Sequence, residues 1–326
     1  MQPAKSLPCF DAGSEYCPCI LAGLGKCISC SMLQGKDTCD CGWNGVCVLA
    51  EFVRTGKQAR PGREQVTAQV TRLTPLARPQ ADYKAYLAEI AVPSKLARWC
   101  TLPGSFVLLR PEGTREAFNV PISVMETSQH SIKIAVECRG PKTTALEQAL
   151  LKHRKVVVTG PFWSGLQGYT QLASLAHGNT LVIAKGMAQA AVPPIARYVR
   201  ARGGNVKTLI GPGTLGVVFI DGILERLGAG FEHMPRTEDR NLGRISDEIT
   251  TRSYDLLVSA GSKLQHQAIL NLLDTISEGD NPVPRFVWVS HLTMVCAEGI
   301  CGSCLLAGFR GCKARFDESF EVHLLH

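Results

Sequence analysis

From residue 65 to about residue 140, apolar and polar side chains alternate in short runs separated by turn residues. The clearest are Val66-Thr67-Ala68-Gln69-Val70, Tyr86-Leu87-Ala88-Glu89-Ile90-Ala91-Val92, Ser105-Phe106-Val107-Leu108-Leu109 and Ser131-Ile132-Lys133-Ile134-Ala135-Val136. A period of two places alternate side chains on opposite faces, so each run reads as a half-buried strand, and their spacing predicts a small antiparallel barrel. After Leu146 the rhythm changes. Val156-Val157-Val158, Leu181-Val182-Ile183-Ala184, Thr208-Leu209-Ile210, Val217-Val218-Phe219-Ile220 and Leu256-Leu257-Val258 are continuously apolar, and longer segments of helical composition separate them. Strands of that kind are buried on both faces, which predicts a parallel sheet covered by helices on either side. The expected fold class is therefore all-β plus α/β.

At 326 residues the chain is too long for one ordinary domain, and 45% hydrophobic content allows substantial cores. A basic, polar stretch from Arg54 to Arg63 reads as a first linker. The expected division is a head over residues 1–60, a barrel over 64–150, an α/β unit over 151–285 and a tail over 286–326. No stretch reaches the roughly 18 uninterrupted apolar residues of a membrane span, and no apolar signal region follows Met1. A soluble, cytoplasmic protein with no membrane partner is expected. The net charge of +7 is not gathered into long Lys/Arg blocks. A solvated surface explains it without nucleic-acid binding, and a basic face that steers an acidic electron carrier is the functional alternative.

Fourteen cysteines change the picture. In a reducing compartment they argue for metal ligation rather than disulfides. Cys296, Cys301, Cys304 and Cys312 form C-x4-C-x2-C-x7-C, close to the plant-type ferredoxin pattern, so a [2Fe-2S] cluster is expected there. Cys9, Cys17, Cys19, Cys27, Cys30, Cys39, Cys41 and Cys47 crowd the head, enough for two four-thiolate sites that hold [4Fe-4S] clusters, structural zinc, or one of each. Cys100 and Cys138 stand alone between these groups and read as small core hydrophobes. His153, His177, His233 and His291 have no partners at ligand or catalytic spacing, and nothing resembles a Ser-His-Asp set or a P-loop.

Three of the apolar strands run into glycine-bearing loops at residues 159–165, 185–190 and 211–214. Ligands of open α/β sheets bind at the carboxyl ends of strands, so three such loops in succession predict a dinucleotide crevice.

The order of barrel, nucleotide-type sheet and plant-type cysteine motif resembles the electron-transfer subunit of the NAD-linked dihydroorotate dehydrogenases, within the ferredoxin-NADP reductase superfamily. The resemblance runs from about residue 64 to the end. It rests on Cys296-x4-Cys301-x2-Cys304, Pro103-Gly104-Ser105-Phe106, Pro121-Ile122-Ser123 and Thr237-Glu238-Asp239. It implies electron flow from NADH to FAD, then through a [2Fe-2S] cluster to a partner subunit in a hetero-oligomer. It also implies that Pro121, Ile122 and Ser123 approach the isoalloxazine ring and that Gly140, Thr143 and Thr144 cradle the FAD diphosphate. Gly160 and Pro161 would open the loop between the flavin and nicotinamide sites, and Gly186 would begin the nicotinamide loop.

The chain departs from that pattern at three places. Val120 replaces the Arg that usually precedes Pro-Ile-Ser and pairs with the FAD phosphates, leaving Arg115 or Arg139 as neighbouring substitutes. Ala188 replaces a glycine in the nicotinamide loop, and Ser259-Ala260-Gly261-Ser262 replaces a Cys-Gly-Pro beside the nicotinamide. Two functional expectations follow. The first is a redox subunit that moves electrons between NAD(P)H, FAD, Fe-S clusters and another redox subunit or ferredoxin-like carrier. The second is a non-enzymatic Fe-S wire or docking subunit on a reductase scaffold that has lost FAD or NAD(P).

Overall fold

In the computed structural model the described residues are 64–76, 84–115, 118–163, 165–235, 238–277, 283–289, 305–306 and 309–310. The eight head cysteines and Cys296, Cys301, Cys304 and Cys312 lie outside them. The alternating runs become β1 (Glu64–Pro75), β2 (Lys84–Ala91), β3 (Phe106–Pro111), β4 (Val120–Thr127) and β5 (Ser131–Cys138). A sixth strand, β6 (Lys155–Phe162), closes them into an antiparallel barrel of order β1-β2-β5-β4-β3-β6. Two short helices serve this unit, α1 (Ser94–Trp99) and α2 (Pro141–Gln148). Inward-facing Val70, Ile90, Val107, Leu109, Ile132, Ile134, Val156 and Val158 fill its interior, and Leu146 of α2 joins the same cluster with Ala149 and Leu150 from the wide helical turn that follows.

The role of Val156-Val157-Val158 differs from expectation. Instead of opening the parallel sheet, this run pairs antiparallel with β1 (Thr67 opposite Val157) and with β3 (Leu109 opposite Val158). A barrel wall packed on its outer side presents the same continuous apolar run as a sheet covered on both faces, which is why hydropathy could not tell them apart.

The α/β unit then builds β7 (Leu166–Gln167), α3 (Tyr169–Ala173), β8 (Asn179–Lys185), α4 (Val192–Ala201), β9 (Asn205–Gly211), α5 (Asp221–Arg226), β10 (Gly230–His233), α6 (Glu238–Thr251), β11 (Leu256–Ala260), α7 (Lys263–Ser277) and β12 (Arg285–Val289). A two-residue pair, β13 (Leu305–Leu306) and β14 (Phe309–Arg310), lies in the tail. The sheet order is β10-β9-β8-β11-β12-β7. All neighbours are parallel except β7 on β12. Successive residues of β8 serve opposite faces: Leu181 and Ile183 pack with Ile269 and Leu273 of α7, while Val182 and Ala184 pack with Val192 and Ile195 of α4. That division explains why the strand is apolar at every position.

Val217-Val218-Phe219-Ile220, expected as a strand, belongs to no sheet. The backbone N–H of Phe219 donates to the side chain of Gln189 at 3.2 Å, and the segment leads directly into α5. The edge beside β9 is taken by β10, whose sequence Gly-Phe-Glu-His carries a single large hydrophobe and no strand-like run.

The barrel and the sheet share one apolar cluster, since Met125 and Ala135 pack with Ala188, Val192 and Ile195. Large buried side chains contribute about 1.5–3 kcal/mol each and an exposed ion pair less than about 1 kcal/mol, so this cluster dominates the junction. No helix among the described residues is long and apolar enough to cross a membrane.

Candidate functional site

The barrel's side of the site is the start of α2. Gly140 is its N-cap, with extended backbone and no side chain to accept from the first turn. Pro141 at the first position has no N–H, so in the first turn only the amides of Lys142 and Thr143 can serve an anion, which the helix dipole also favours. Thr143 fixes the approach to this turn. Its Oγ1 accepts from the backbone N–H groups of Arg139 and Gly140, both at 3.0 Å. Thr144 opens the helical ladder by donating its N–H to the Gly140 carbonyl at 2.8 Å. Lys142 Nζ donates to the Asn119 carbonyl at 3.2 Å and so ties the helix to the entrance of β4.

On β4, Pro121 stands opposite Leu108 and Ser123 opposite Phe106, so the two share one face. Ile122 falls on the other face and packs against the barrel's interior cluster. Val120 belongs to that cluster as well, opposite Leu109. A guanidinium at position 120 would have to enter an apolar interior, which accounts for the departure physically.

The two expected substitutes fare differently. Arg139 is engaged, with Nε 2.8 Å from Glu137 Oε2 and Nη2 donating to Thr214 Oγ1 at 3.1 Å. Arg115 is exposed. A third arginine escaped the sequence reading: Arg110 on β3 is buried, donates from Nη1 to the Thr114 carbonyl at 2.7 Å, and has no partner for Nε among the described residues. Its only sequence signal is a lone cation inside the apolar run Phe106–Pro111.

Gly160 and Pro161 lie on β6, where the barrel hands the chain to the sheet. A Cβ at Gly160 would sit 3.0 Å from Val107 Cγ1, so β6 and β3 meet closely at that point. Phe162 next to them stacks on Phe106 with ring centroids 5.2 Å apart.

The sheet's side of the site lies where the strand order reverses, between β8 and β11, the position at which open α/β sheets bind ligands. Gly186 follows β8 at φ +60°, with open space where a Cβ would point. Gly213 follows β9 at φ +56°, and a Cβ there would lie 2.9 Å from the Gly186 amide nitrogen, so the two loops touch through backbone. Arg139, bonded to Thr214, carries the barrel's helix start up to these loops. Gly140, Thr143, Thr144 and Gly186 are thus gathered at one junction.

Ala188 does not crowd it. Its methyl is buried in the apolar cluster shared with Met125 and Val182, turned to the core. Gln189, fully buried beside it, donates to the Val217 carbonyl at 3.1 Å and accepts from Phe219 N–H, fastening the turn after β8 to the loop after β9.

At the end of β11, Ser259 is completely buried. Its hydroxyl lies 2.8 Å from Nδ1 of His266, whose Nε2 is 3.1 Å from the Val289 carbonyl. A carbonyl only accepts, so Nε2 carries the proton, Nδ1 accepts, and Ser259 donates. This pair was not legible in the sequence because seven residues and a strand-to-helix turn separate its members.

Other expectations resolve locally. Cys100 and Cys138 are buried and free, and burial pushes their thiols up to about 12 and about 11. His233 has a partner after all, with Nε2 2.8 Å from Asp221 Oδ2. Among the described residues no group of three or more His, Cys, Asp or Glu is arranged to hold a metal ion.

No protein-family model matches the chain. Solved structures do resemble it. A NADH-dependent reduced ferredoxin-NADP oxidoreductase, whose structure bears on flavin-based electron bifurcation, superposes with a TM-score of 0.54 at 18% identity, covering 79% of this chain and 92% of that one. The ferredoxin-NADP+ reductase from Plasmodium falciparum with 2'P-AMP gives a TM-score of 0.51 at 12% identity, covering 65% of this chain and 93% of that one. Taken with the closed barrel and the reversing parallel sheet, these likenesses show that the chain has the ferredoxin-NADP reductase-like fold.

Proposed function

We propose that this chain is an electron-transfer flavoprotein subunit that moves electrons between NAD(P)H, FAD and Fe-S clusters and a partner redox protein. The observation that carries the reading is the junction itself, where the uncapped start of α2 and the open backbone at Gly186 are brought together beside β4. A diphosphate needs amide donors and positive charge, and the α2 amides with buried Arg110 offer both. Gly140, Thr143 and Thr144 would hold the FAD diphosphate, and Pro121 and Ser123 would border its ring. Bound FAD supplies the conversion of a two-electron hydride into single electrons. The chain's own contribution is to position these groups and to keep the junction apolar through Met125, Ala135 and Ala188.

The tail cysteines Cys296, Cys301, Cys304 and Cys312 would hold a [2Fe-2S] cluster, and the head cysteines one or two further clusters or zinc, on the strength of their spacing. A cytoplasmic hetero-oligomer with a second redox subunit completes the proposal. Purification under anaerobic conditions, followed by flavin absorbance and iron and sulfide analysis, tests it. Stoichiometric flavin together with iron and sulfide is expected; iron and sulfide without flavin would overturn it.

A second reading, a non-enzymatic Fe-S wire or docking subunit, is favoured by Val120 and Ser259, both turned into apolar or closed surroundings. Oxidation of NAD(P)H with an artificial acceptor excludes that reading.

A further inference from the structure

Where helices of a parallel sheet change sides, the two strands at the reversal part company and their carboxyl ends leave a gap into which a dinucleotide settles. Here the gap lies between β8 and β11, and a side chain of the protein already spans it. Gln265, in the first turn of α7, folds its carboxamide back over Gly261, so that a Cβ on that glycine would collide with it. The carboxamide Nε2 is within 3.2 Å of two acceptors, the Ile183 carbonyl on β8 and Ser259 Oγ on β11. Ile183 and Ser259 are register partners, so this one amide bridges the next-to-last rung of the two strands.

The bridge is anchored from behind. Ser259 donates a hydrogen bond to Nδ1 of His266, and Nε2 of His266 donates one to the Val289 carbonyl on β12. Gly261 accommodates the folded-back carboxamide only because it has no side chain. Three strand ends and the first turn of α7 therefore hold Gln265 in the place a ligand would use.

We infer that Gln265 is a stopper for this crevice, a side chain that a pyridine nucleotide must displace before its nicotinamide end reaches Ser259. The inference rests on the proposed nucleotide reading of the crevice. When the competent state is a minority, apparent affinity falls by its population, so a stopper that leaves the crevice open about a tenth of the time weakens binding about tenfold.

Two measurements on the full chain test it, with thermal unfolding as a check that each variant is folded. In the first, Ser259→Cys is introduced with Gln265 intact and again with Gln265→Ala, and the rate of iodoacetamide labelling at position 259 is followed by peptide mass spectrometry. Labelling about tenfold faster in the double variant is expected; equal rates overturn the stopper without touching the nucleotide reading. In the second, NADH and NADPH are titrated against the unsubstituted chain and Gln265→Ala. Tighter binding of either nucleotide by Gln265→Ala, by about tenfold, is expected. Equal, measurable affinities overturn the stopper. Faster labelling with no binding by either protein overturns the nucleotide reading, and the stopper's role with it.

Discussion

Arg226 on α5 donates from Nη2 to Oε1 of Glu126 on β4 at 2.9 Å, across 100 residues of sequence. Lys133 takes the other carboxylate oxygen at 3.2 Å, so one carboxylate is shared between the barrel and the α/β unit. Arg226 is largely solvated, at 61% exposed, and Glu126 keeps 19% of its side chain in solvent. Glu126→Gln is expected to cost less than about 1 kcal/mol, and less still at high salt. Chemical denaturation at two salt concentrations checks this, and a loss of several kcal/mol would show that the junction depends on charge rather than on its apolar cluster.

Glu248 gives the contrasting case. It is 1% exposed and accepts from Lys207 at 2.7 Å and from Tyr254, with Arg244 at 3.0 Å. Glu248→Ala leaves the Tyr254 hydroxyl and the nearest contact of Lys207 unmet, while Arg244 keeps Glu232, and it is expected to cost about 2 kcal/mol, read as a fall in the denaturation midpoint. Glu248→Gln, which keeps the shape and one acceptor, should cost less.

The same carboxylate sets an acid limit. Burial works to raise its pKa, but hydrogen bonds and charge from Lys207, Tyr254 and Arg252 outweigh that and hold it below 4.5; Arg244 does the same for Glu232. A depressed folded pKa means that the stabilisation is present above the unfolded value and lost as the pH falls through the folded one. Stability should therefore hold from neutrality to about pH 4.5 and decline below it. Glu248→Gln should flatten that decline.

An alkaline counterpart sits in the barrel. Tyr86 donates to Glu147 at 2.7 Å, and burial, with help from that carboxylate, pushes its phenol up to about 12. With a folded pKa above the unfolded 10.0, its contribution is intact below pH 10 and lost as the pH rises toward 12. Tyr86→Phe is expected to lose about 1 kcal/mol at neutral pH and to show a shallower alkaline loss, measurable by denaturation between pH 8 and pH 11.

Cys100 and Cys138 should resist alkylation in the native protein. With thiols raised to about 12 and about 11, the reactive thiolate at pH 8 is at most about one part in a thousand. Peptide mapping after brief iodoacetamide treatment at pH 8 should find both unmodified until denaturant is added.

The barrel was legible from alternation in β1, β2 and β5 and from the apolar run of β3, and half of the sheet, β8, β9 and β11, from continuous apolar runs, because one buried face or two leaves a direct mark on hydropathy. β6 misled because an outer barrel wall can also be covered. Val217–Ile220 misled because its Phe219 amide is taken by a glutamine side chain, which no local pattern announces. The resemblance named Gly140, Thr143 and Gly186 as site residues, and the fold places all three at one junction. Arg110, Gln265 and the Ser259–His266 pair were not, since their significance lies in partners that only the folded chain brings near.

The closing strand of the barrel also dictates an order of events during synthesis. Until residue 162 has left the ribosome, β1 and β3 have no β6 between them, and the nascent chain displays two raw strand edges of the kind that invite association with other chains. The same stretch of polypeptide that seals those edges then leads straight into β7 and β8. A chain cut near residue 150 would keep every residue of the expected barrel and still lack its seam, whereas one cut after Phe162 would carry the seam with it.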